Sequence, residues 1–441
     1  MMDISRTPLL TDLYELTMLQ TYYEHGMEGR AVFEFFARDP GPSRPFLLAA
    51  GLEQALEWLQ NLEFTAEECQ WVRDCGHFSP AFAARLNDFH FTGEVRAMPE
   101  GTVFFPEEPI LQVIAPLPEA QLVESRLMNI LHFQSLIATK AARCRVAAGD
   151  RMLVDFGLRR AHGGEAGLWA ARASYIAGFN ATATCLANAF YGVPVAGTMA
   201  HSFILAHESE EEAFERFARS HPHNVILLID TFDTEAAAEK VVALAPGLAR
   251  DGIRVRGVRI DSGDLADHAR RVRRILDDGG LQETTIFASG GLDEYGIREL
   301  VADGAPIDGF GVGSKVDTSA DLAFLDSAYK LHQYEGEALS KRSEGKADLP
   351  GMKQVFRFRD GEGRMSGDTL GTDAEALDAR PLLKTVMRNG RRLGPAESMD
   401  TIRARVEAEL NDLPEQYRTL ETQARYPVDL SSGLRRLKAG D

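Results

Sequence analysis

IRVRGVRIDSGDLADHARRVRRILDDGG, residues 253–280, contains one strand and one helix in direct succession. The run from Ile253 to Asp261 has a β-type composition, and the segment from Leu265 onward repeats apolar residues at helical spacing until it reaches two glycines. A strand that leads into a helix in this way is the repeating unit of parallel α/β folds. The stretch therefore predicts one parallel strand whose carboxyl end carries the polar residues of RIDSGDL.

The same unit recurs through the middle of the chain. Five further β-type runs alternate with helical segments, and most lie about 30 residues apart, the length of one strand–helix unit. These runs are MLVDFGL (152–158), VPVAG (193–197), VILLID (225–230), TIFASGG (285–291) and IDGFGVGS (307–314). Six units in series predict an α/β barrel or a doubly wound sheet. We favour the barrel because polar residues end all six strands, whereas an open sheet gathers its ligands mainly at one switch point.

The composition of the chain changes on both sides of these units. Residues 89–116 and the residues after about 328 contain short β-type runs separated by glycine and proline, with a hairpin signal in DGEG at 360–363. An amphipathic helix is expected over 398–420. The fold class is therefore α/β: an α/β barrel over residues 121–329 with a second, discontinuous α+β domain made from residues 1–120 plus 330–441.

Charge and composition exclude several classes of protein. The 441 residues carry a formal net charge of -18, which argues against nucleic acid as the main partner. No stretch approaches 18 uninterrupted apolar residues, so no membrane span is expected. The start of the chain has early acids and no apolar leader segment, and the 4 cysteines form no CxxC pair or zinc spacing. These features predict a soluble, cytoplasmic protein with no nucleic-acid or membrane partner.

Two strand ends carry groups suited to an anion or to nucleophilic chemistry. Arg159 and Arg160 follow the run MLVDFGL, and adjacent guanidinium groups suit a carboxylate or a phosphate, although a surface ion pair would use them equally well. Thr198 and His201 follow VPVAG. A histidine there can act as a base, a metal ligand or a covalent nucleophile, or it can be a structural residue of the loop. The stretch alone leaves these alternatives open.

Carboxylates follow the next two runs. Asp230 and Asp233 come at the end of VILLIDTFD, and Asp261 and Asp264 enclose a Ser-Gly turn at 262–263. Two carboxylates around such a turn can bind Mg²⁺, ribose hydroxyls or both, since magnesium prefers one or two carboxylates together with substrate oxygens. Asp264 can instead cap the helix that follows it.

The last two runs end in glycine-bearing turns before a helix. Backbone N–H groups in such turns can approach an anion, and two turns of this kind late in an α/β series are typical of a phosphate site. Tight turns without a ligand would also need glycine. The chain has no GxxxxGK[ST] loop and no dinucleotide fingerprint. Arginine, histidine, aspartate and glycine at one rim together predict a phosphorylated sugar ligand with Mg²⁺.

Several motifs, taken in order, resemble one known family. LTDLYELTM, DFGLRRAHG, GFNATAT, VPVAGTMAHS, RIDSGDL, FASGGLDE and GFGVGSKV are similar to motifs of nicotinate phosphoribosyltransferase, a type II phosphoribosyltransferase. The resemblance extends from about residue 8 to about residue 370 and includes YKLHQYEGEALSKRSEGKADLPGMKQVFR. Because several specific motifs occur in the same order, the resemblance is much stronger than any single motif.

The resemblance implies a reaction as well as a fold. It implies an α/β barrel with an α+β domain, usually as a homodimer, that converts nicotinate and phosphoribosyl pyrophosphate to nicotinate mononucleotide and pyrophosphate in NAD salvage. It also implies Mg²⁺ as cofactor, ATP as co-substrate and a ligase-type classification, since the family hydrolyses ATP through a phosphohistidine. His201 matches the position of that histidine.

The resemblance also assigns roles to individual side chains. Tyr14 matches a base-site tyrosine that the neighbouring subunit donates, and Phe156 matches the ring that stacks on the pyridine. Asp230 and Asp261 match positions near the magnesium ion and the pyrophosphate, so we expect both as metal ligands. Further matches to nicotinate contacts are Arg159, Thr198 and Arg259. The residues expected at the phosphoribosyl and phosphate groups are Ser262, Gly263, Ser289, Gly290, Gly291, Gly311, Gly313 and Ser314.

Other activities remain as alternatives. Nicotinamide phosphoribosyltransferase is similar in fold, but it has an aspartate, in the helix after the second motif, at the position that Ala183 occupies here. Without that acid a carboxylate substrate is not repelled, which favours nicotinate. Quinolinate phosphoribosyltransferase decarboxylates its substrate and has no use for a phosphorylated histidine. A metal-dependent barrel lyase or isomerase could use Asp230, Asp261 and His201 as ligands, with Lys315 as the available lysine. A regulatory barrel without activity would not need polar groups at all six strand ends.

Overall fold

The computed structural model describes residues 6–340, 342–343, 346–347 and 349–439. Contacts divide these residues into two compact units. The first comprises the described residues up to Thr139 and those from Phe324 onward, and the second is Lys140–Ala323. The domain limits expected from the sequence, at 121 and 329, stay a prediction. No helix in the described part of the chain has the length and apolar character needed to cross a membrane.

The amino-terminal part of the chain combines helices with mostly buried strands. Its elements are α1 (Leu13–Glu24), β1 (Arg30–Ala37), β2 (Leu47–Leu48), α2 (Leu52–Gln60), α3 (Ala66–Asp74), α4 (Pro80–Arg85), β3 (Glu94–Ala97), β4 (Val103–Phe104), β5 (Pro109–Pro116), α5 (Leu117–Leu122) and α6 (Glu124–Ala148). β1 is buried from Ala31 to its end and pairs antiparallel with β5.

The second unit is built on parallel strands that alternate with helices. After α6 it contains β6 (Met152–Asp155), a 3-10 turn (Leu158–Arg160), α7 (Gly164–Ile176), β7 (Ala181–Thr182), α8 (Cys185–Tyr191), α9 (His201–Leu205), α10 (Glu210–Ser220), β8 (Val225–Leu228), α11 (Thr234–Arg250), β9 (Val255–Ile260), α12 (Leu265–Asp278), β10 (Thr285–Ala288), α13 (Glu294–Ala302), β11 (Gly309–Val312) and α14 (Ser314–Asp317).

These strands form a curved parallel sheet. Its order is β7-β6-β11-β10-β9-β8, and every neighbouring pair is parallel. β11 follows the other strands in the chain yet lies beside β6, the first of them, as in a barrel. Because the strands are parallel, their carboxyl ends lie at one edge. Aspartates cap three of the helices that follow, since the side chains of Asp233, Asp264 and Asp293 accept backbone N–H groups.

The run VPVAG was expected to be the second barrel strand, and this prediction is wrong in detail. It contributes a single bridge, Val195 to Thr182, and the strand at this place is β7, within GFNATAT. Pro194 explains the difference, because it lacks the N–H that an extended ladder needs. No ladder among the described residues joins Val195 to β8, so the barrel is open between them. Across this gap, Nδ2 of Asn224 donates to the carbonyl of Gly197 at 3.4 Å.

The carboxyl-terminal part of the chain returns to the first unit. It contains β12 (Ser327–Tyr334), β13 (Glu337–Ala338), β14 (Arg342–Ser343), β15 (Lys346–Ala347), β16 (Lys353–Arg359), β17 (Met365–Thr372), β18 (Arg380–Pro381), β19 (Lys384–Arg388), β20 (Arg391–Arg392), α15 (Met399–Asp412), β21 (Val428–Leu430) and α16 (Ser432–Ala439). The DGEG turn joins β16 to β17, as predicted. The helix expected over 398–420 is capped by Ser398 but ends at Asp412, because Pro414 disfavours helical backbone at Leu413.

One sheet of the first unit takes strands from both ends of the chain. Its order is β13-β12-β1-β5-β3-β19-β20, and a second sheet has the order β18-β16-β17-β21. Strands from before and after the barrel therefore share hydrogen bonds, which makes this unit discontinuous in sequence. The predicted fold class, an α/β barrel with a second, discontinuous α+β domain, is confirmed.

Candidate active site

An aromatic ring lies at the end of the first barrel strand. The Phe156 N–H donates to the carbonyl of Val312 at 2.8 Å, which ties this ring to β11. A Cβ atom placed on Gly311 would lie 2.4 Å from Cε2 of the Phe156 ring, so this glycine leaves room for the ring. The ring also packs on Val154, Ala181 and Phe287. Phe156 therefore presents a fixed, half-buried aromatic face at the strand ends.

The guanidinium of Arg259 lies beside this ring, and that of Arg159 is close enough to act on its charge. Cζ of Arg259 is 5.8 Å from the centre of the Phe156 ring, and Nη2 of Arg259 donates to the carbonyl of Met199 at 3.0 Å. Burial lowers the pKa of Arg259, and the positive charge of Arg159 lowers it further against the opposing effect of Asp261 and Asp230. The buried Nε of Arg259 has no hydrogen-bond partner among the described residues. An anion bound between Arg259 and Arg159 would reduce the repulsion between them and could give this Nε a hydrogen-bond partner.

His201 begins α9, at the open side of the barrel. Its Nδ1 lies 3.1 Å from Oγ1 of Thr231, and its Nε2 lies 4.0 Å from Oδ2 of Asp261. The side chain is 40% exposed, so a ligand can reach Nε2. Thr231, which follows β8, therefore orients His201, and the sequence alone did not identify it.

The neighbours of His201 in sequence do not orient it. Nδ1 of His207 pairs with the carbonyl of Phe203 at 2.7 Å, and the Glu208 N–H donates to Glu212. Thr198 lies at the same strand end, where its Oγ1 donates to the carbonyl of Met199 at 3.4 Å. The carbonyl of Met199 also accepts a hydrogen bond from Arg259. The loop before His201 is therefore bonded to one of the two arginines that could hold an anion.

Two carboxylates converge opposite the histidine. Oδ2 of Asp230 accepts from the Asp261 N–H at 2.9 Å and from the Ser262 hydroxyl at 2.6 Å. The Ser289 hydroxyl donates to Oδ1 of Asp261. These bonds aim the remaining oxygens, Oδ1 of Asp230 and Oδ2 of Asp261, away from their supporting loops. Oδ1 of Asp230 is buried and has no hydrogen-bond partner among the described residues.

This pair of carboxylates fits a magnesium ion. The described residues contain no group of three or more side chains that could hold a metal by themselves. Magnesium does not need such a group, because it binds through one or two carboxylates and completes its coordination with water and substrate phosphate oxygens. The oxygen of Asp230 that lacks a partner and the half-exposed carboxylate of Asp261 provide this number of ligands.

Glycine turns follow β9 and β10. Gly290 has φ +99°, and a Cβ there would lie 2.0 Å from the carbonyl oxygen of Asp261, so no other residue fits. Gly291, at φ +65°, faces open space. Gly263, at φ +80°, lies against His268, whose Nδ1 is 2.8 Å from Glu235. Gly290 and Gly291 are exposed, so their N–H groups can reach a phosphate.

The turn after β11 is less open than expected. Gly311 is buried beneath the Phe156 ring, and a Cβ on Gly313 would lie 2.9 Å from the carbonyl oxygen of Phe156. Both glycines are explained by this close packing, and the phosphate contacts expected of them stay a prediction. Ser289 is also buried and uses its hydroxyl on Asp261. Ser314 is exposed at the first position of α14.

The other predicted residues have identifiable places. Arg159 and Arg160 end the 3-10 turn and are exposed. Ala183 lies directly after β7, at the strand edge and not within a helix as expected. Nζ of Lys315 forms an ion pair with Oδ2 of Asp293 at 2.8 Å, so it is not an isolated nucleophile.

Tyr14 belongs to α1 of the first unit. Its side chain is 44% exposed. Burial of part of the ring and the charge of Glu124 raise the pKa of its hydroxyl above the usual range, so the phenol stays neutral.

The family models and the curated relatives that match this chain share one family description. A family model described as the nicotinate phosphoribosyltransferase (NAPRTase) N-terminal domain matches residues 9–132, and one described as the nicotinate phosphoribosyltransferase C-terminal domain matches residues 373–438. A nicotinate phosphoribosyltransferase of Mycobacterium tuberculosis is 47% identical over 425 residues, covering 96% of this chain and 91% of its own. One of Bacillus subtilis is 35% identical over 456 residues, covering 96% and 92%.

A solved structure agrees with these sequence matches. The crystal structure of human nicotinic acid phosphoribosyltransferase matches with a TM-score of 0.87 at 28% identity, covering 98% of this chain and 99% of that chain. The match therefore includes both the barrel and the α+β unit. By sequence and by fold, this chain belongs to the nicotinate phosphoribosyltransferase family.

Proposed function

We propose that this chain is an enzyme that transfers a phosphoribosyl group from phosphoribosyl pyrophosphate to nicotinate, forming nicotinate mononucleotide and pyrophosphate in NAD salvage. One observation carries the proposal: the Phe156 ring is fixed at the strand ends with the Arg259 guanidinium 5.8 Å from its centre. A planar pyridine can stack on the ring while its carboxylate pairs with the arginine. Family membership supports the same substrate.

The charges at this site favour nicotinate over nicotinamide. Arg159 is close enough to Arg259 to lower its pKa, and a carboxylate placed beside them reduces that repulsion. Ala183, at the end of β7, offers no acid to accept an amide N–H. A carboxylate can form an ion pair with Arg259, whose buried Nε has no hydrogen-bond partner among the described residues, and a neutral amide cannot.

The transfer step needs placement of the substrates and stabilisation of the leaving group. The ring nitrogen of nicotinate forms a bond to the anomeric carbon of the sugar, while the bond from that carbon to pyrophosphate breaks. Nicotinate is already a nucleophile, so Phe156 and Arg259 act mainly by holding it in line. Exposed N–H groups of Gly290 and Gly291 bind phosphate oxygens, and Asp230 and Asp261 would hold Mg²⁺. When bound, that ion would neutralise charge on the leaving pyrophosphate.

His201 is the residue proposed to couple the reaction to ATP. With Nδ1–H donating to Oγ1 of Thr231, the lone pair of Nε2 is free to attack the γ-phosphorus of ATP. A nitrogen–phosphorus bond forms and the bond to the β,γ-bridging oxygen breaks, so ADP leaves. Water later hydrolyses the phosphohistidine. The ligase-type classification follows from this coupling.

The remaining proposals concern assembly and location. We propose a homodimer in which the half-exposed Tyr14 reaches the base site of the neighbouring subunit. A neutral phenol suits this role, because it adds contact area without repelling the substrate carboxylate. The four cysteines carry free thiols, which fits the reducing conditions of the cytoplasm.

Product analysis tests the proposed reaction directly. The chain is incubated with phosphoribosyl pyrophosphate and Mg²⁺, and with nicotinate, nicotinamide or quinolinate, each with and without ATP. We expect nicotinate mononucleotide as the main product, with more of it when ATP is present. Preference for nicotinamide would overturn the base assignment, and consumption of none of the three bases would overturn the proposed function.

The role of His201 has its own test. His201→Ala should retain ATP-independent transfer but lose the ATP hydrolysed per product formed, because the phosphate acceptor is gone. His207→Ala is the matched control, since His207 follows α9 and its ring pairs with a backbone carbonyl. If His201→Ala hydrolysed ATP in step with product, another group would have to be the acceptor.

A further inference from the structure

Two carboxyl groups are buried beneath the segment that carries Phe156 and Arg159. Asp155 is the last residue of β6 and is 1% exposed, and Asp317 is the last residue of α14 and is 0% exposed. Oδ1 of Asp155 accepts from the Gly157 N–H at 2.7 Å, and Oδ2 accepts from the Thr182 hydroxyl at 2.6 Å. Neither oxygen of Asp317 has a hydrogen-bond partner of ordinary geometry among the described residues.

The two carboxyls meet at Gly157. A Cβ atom on this glycine would lie 2.1 Å from Cγ of Asp317, so the Asp317 carboxyl occupies the space of the missing side chain. The N–H of the same glycine is bonded to Asp155. The backbone of Gly157 is thus held between the side chains of Asp155 and Asp317.

Two negative charges cannot both be buried at this place. Burial raises the pKa of Asp317 well above its ordinary range, and the neighbouring Asp155 raises it further. Burial also raises the pKa of Asp155, although its bonds to Thr182 and Gly157 oppose this. Such a pair favours a state with one shared proton, since a protonated carboxyl can donate to an ionised one.

The titratable groups on the neighbouring elements do not account for the raised pKa of either carboxyl. α14 packs against α7 and the 3-10 turn at 158–160. The titratable side chains on these elements and the loop between them are Arg159, Arg160, His162, Glu165, Arg172, Tyr175 and Lys315. None of them is among the causes that shift either carboxyl. The state of the pair therefore depends on the two aspartates themselves.

The pair lies where two parts of the proposed site meet. The Phe156 N–H is bonded to the carbonyl of Val312, and its own carbonyl oxygen would be 2.9 Å from a Cβ on Gly313. Asp317 is three residues after Ser314 in the short helix α14. Movement at the carboxyl pair would therefore shift the ring that is proposed to stack on nicotinate relative to the turn proposed to contact phosphate.

We propose that Asp155 and Asp317 are positioning residues which, by sharing one proton, hold the Phe156–Arg159 segment in the geometry that binds nicotinate. The inference rests on the proposed function. Loss of the shared proton leaves two buried charges that repel, and the segment moves from its place. The KM for nicotinate therefore rises on the alkaline side, while transfer from the bound complex changes less.

Asp317→Asn in the full chain is the main test. The amide keeps the size of the carboxyl and donates to Asp155 without a titratable proton. In the wild type we expect KM for nicotinate to rise at alkaline pH, and in Asp317→Asn we expect a KM that is close to the wild-type neutral value and independent of pH there. Asp278→Asn, at an exposed acid of the same unit, should keep the wild-type profile.

Loss of the side chain should have a larger effect than its neutralisation. Asp317→Ala removes the contact with Gly157 and should raise KM for nicotinate about tenfold, with a smaller change in kcat, because a loosened positioning segment misplaces the base. Asp317→Asn should have a KM much closer to that of the wild type, because it keeps the size of the side chain. Its KM should also be independent of pH, which a simple packing defect would not produce.

Stability gives a second readout that does not depend on activity. A raised pKa in the folded state means that the wild type loses stability as pH rises from the ordinary aspartate range through the raised value, because the unfolded chain gives up the proton first. Asp317→Asn should lose less stability over that range. Identical pH profiles of KM and of unfolding in the wild type and Asp317→Asn would overturn the inference. Absence of nicotinate turnover in the wild type would instead overturn the proposed function.

Discussion

Two regions of this molecule collect charged side chains and use them differently. In the first unit the guanidinium of Arg357 is buried and binds Asp368 through Nε at 3.0 Å and Nη2 at 2.6 Å, and Glu409 through Nη1 at 2.8 Å. At the barrel rim, the buried Nε of Arg259 and Oδ1 of Asp230 have no hydrogen-bond partner among the described residues. Every nitrogen of the Arg357 guanidinium is bonded to a carboxylate, whereas these two rim atoms have bonds left to make.

The difference identifies which charges belong to the fold and which belong to a ligand. A buried charge or polar atom without a partner costs free energy, so a folded chain keeps it only where something else repays that cost. Around Arg357 the carboxylates offset the cost of burial, and their charges raise the pKa of the guanidinium. Beside Arg259 the charges of Asp261 and Asp230 do not fully offset burial and the second arginine, so the pKa of the guanidinium is lowered, and a substrate carboxylate can supply further negative charge.

The largest expected effect is on the complete cluster. Arg357→Met should lower the free energy of unfolding by about 3–5 kcal/mol, because it leaves the buried Asp368 without its cation and Glu409 with only Arg380. Urea denaturation measures this loss. Arg364→Met, in the nearby turn before β17, removes surface ion pairs with Asp360 and Glu362 and should change stability little. If Arg357→Met were as stable as the control, the cluster would not be structural.

A comparable change at the rim should affect catalysis instead. Arg259→Ala should lower kcat/KM for nicotinate about a hundredfold, equivalent to about 2.7 kcal/mol of lost charge-assisted binding. Its free energy of unfolding should stay the same or rise, because burial and Arg159 together outweigh the attraction of Asp261 and Asp230 for the removed cation. Arg160→Ala, at an exposed neighbour in the 3-10 turn, is the control. A large loss of stability with unchanged kcat/KM would remove the contrast between the two regions.

The smallest expected effect concerns orientation within the rim. Thr231→Val keeps the shape of the side chain but removes the bond to Nδ1 of His201, which is worth about 1 kcal/mol. The ATP hydrolysed per nicotinate mononucleotide should fall about fivefold, while KM for nicotinate stays the same. Thr285→Val, at an exposed threonine in β10 bonded to a backbone carbonyl, controls for the substitution itself. Unchanged coupling in Thr231→Val would mean that another group orients the imidazole.

Much of the fold could be read from local patterns. Five of the six predicted barrel runs contain strands, and the ends of β6, β8, β9, β10 and β11 lie close to the expected positions. The prediction failed at VPVAG, because a run of β-type residues does not show whether a partner strand is in reach. Pro194 was visible in the sequence, but its effect depends on which side of Val195 faces β7.

The sequence predicted which residues belong to the candidate site better than it predicted the role of each one. Arg259, His201, Asp230 and Asp261 meet at one rim because parallel strands place their carboxyl ends together. Their supports were not predictable. Ser289 was expected at a phosphate and instead holds Asp261, and Gly311 was expected in an anion turn and instead makes room for the Phe156 ring.

By itself the sequence determined the strand–helix rhythm, the aspartate caps and the set of polar residues at the strand ends. These depend on neighbours a few positions away, whose spacing is set by the helix and strand periods. Only the tertiary structure decided that Thr231 pairs with His201 and that Asp155 meets Asp317 across 162 positions. Such pairs depend on sheet order and register, which are fixed when the whole barrel packs and not by any one segment.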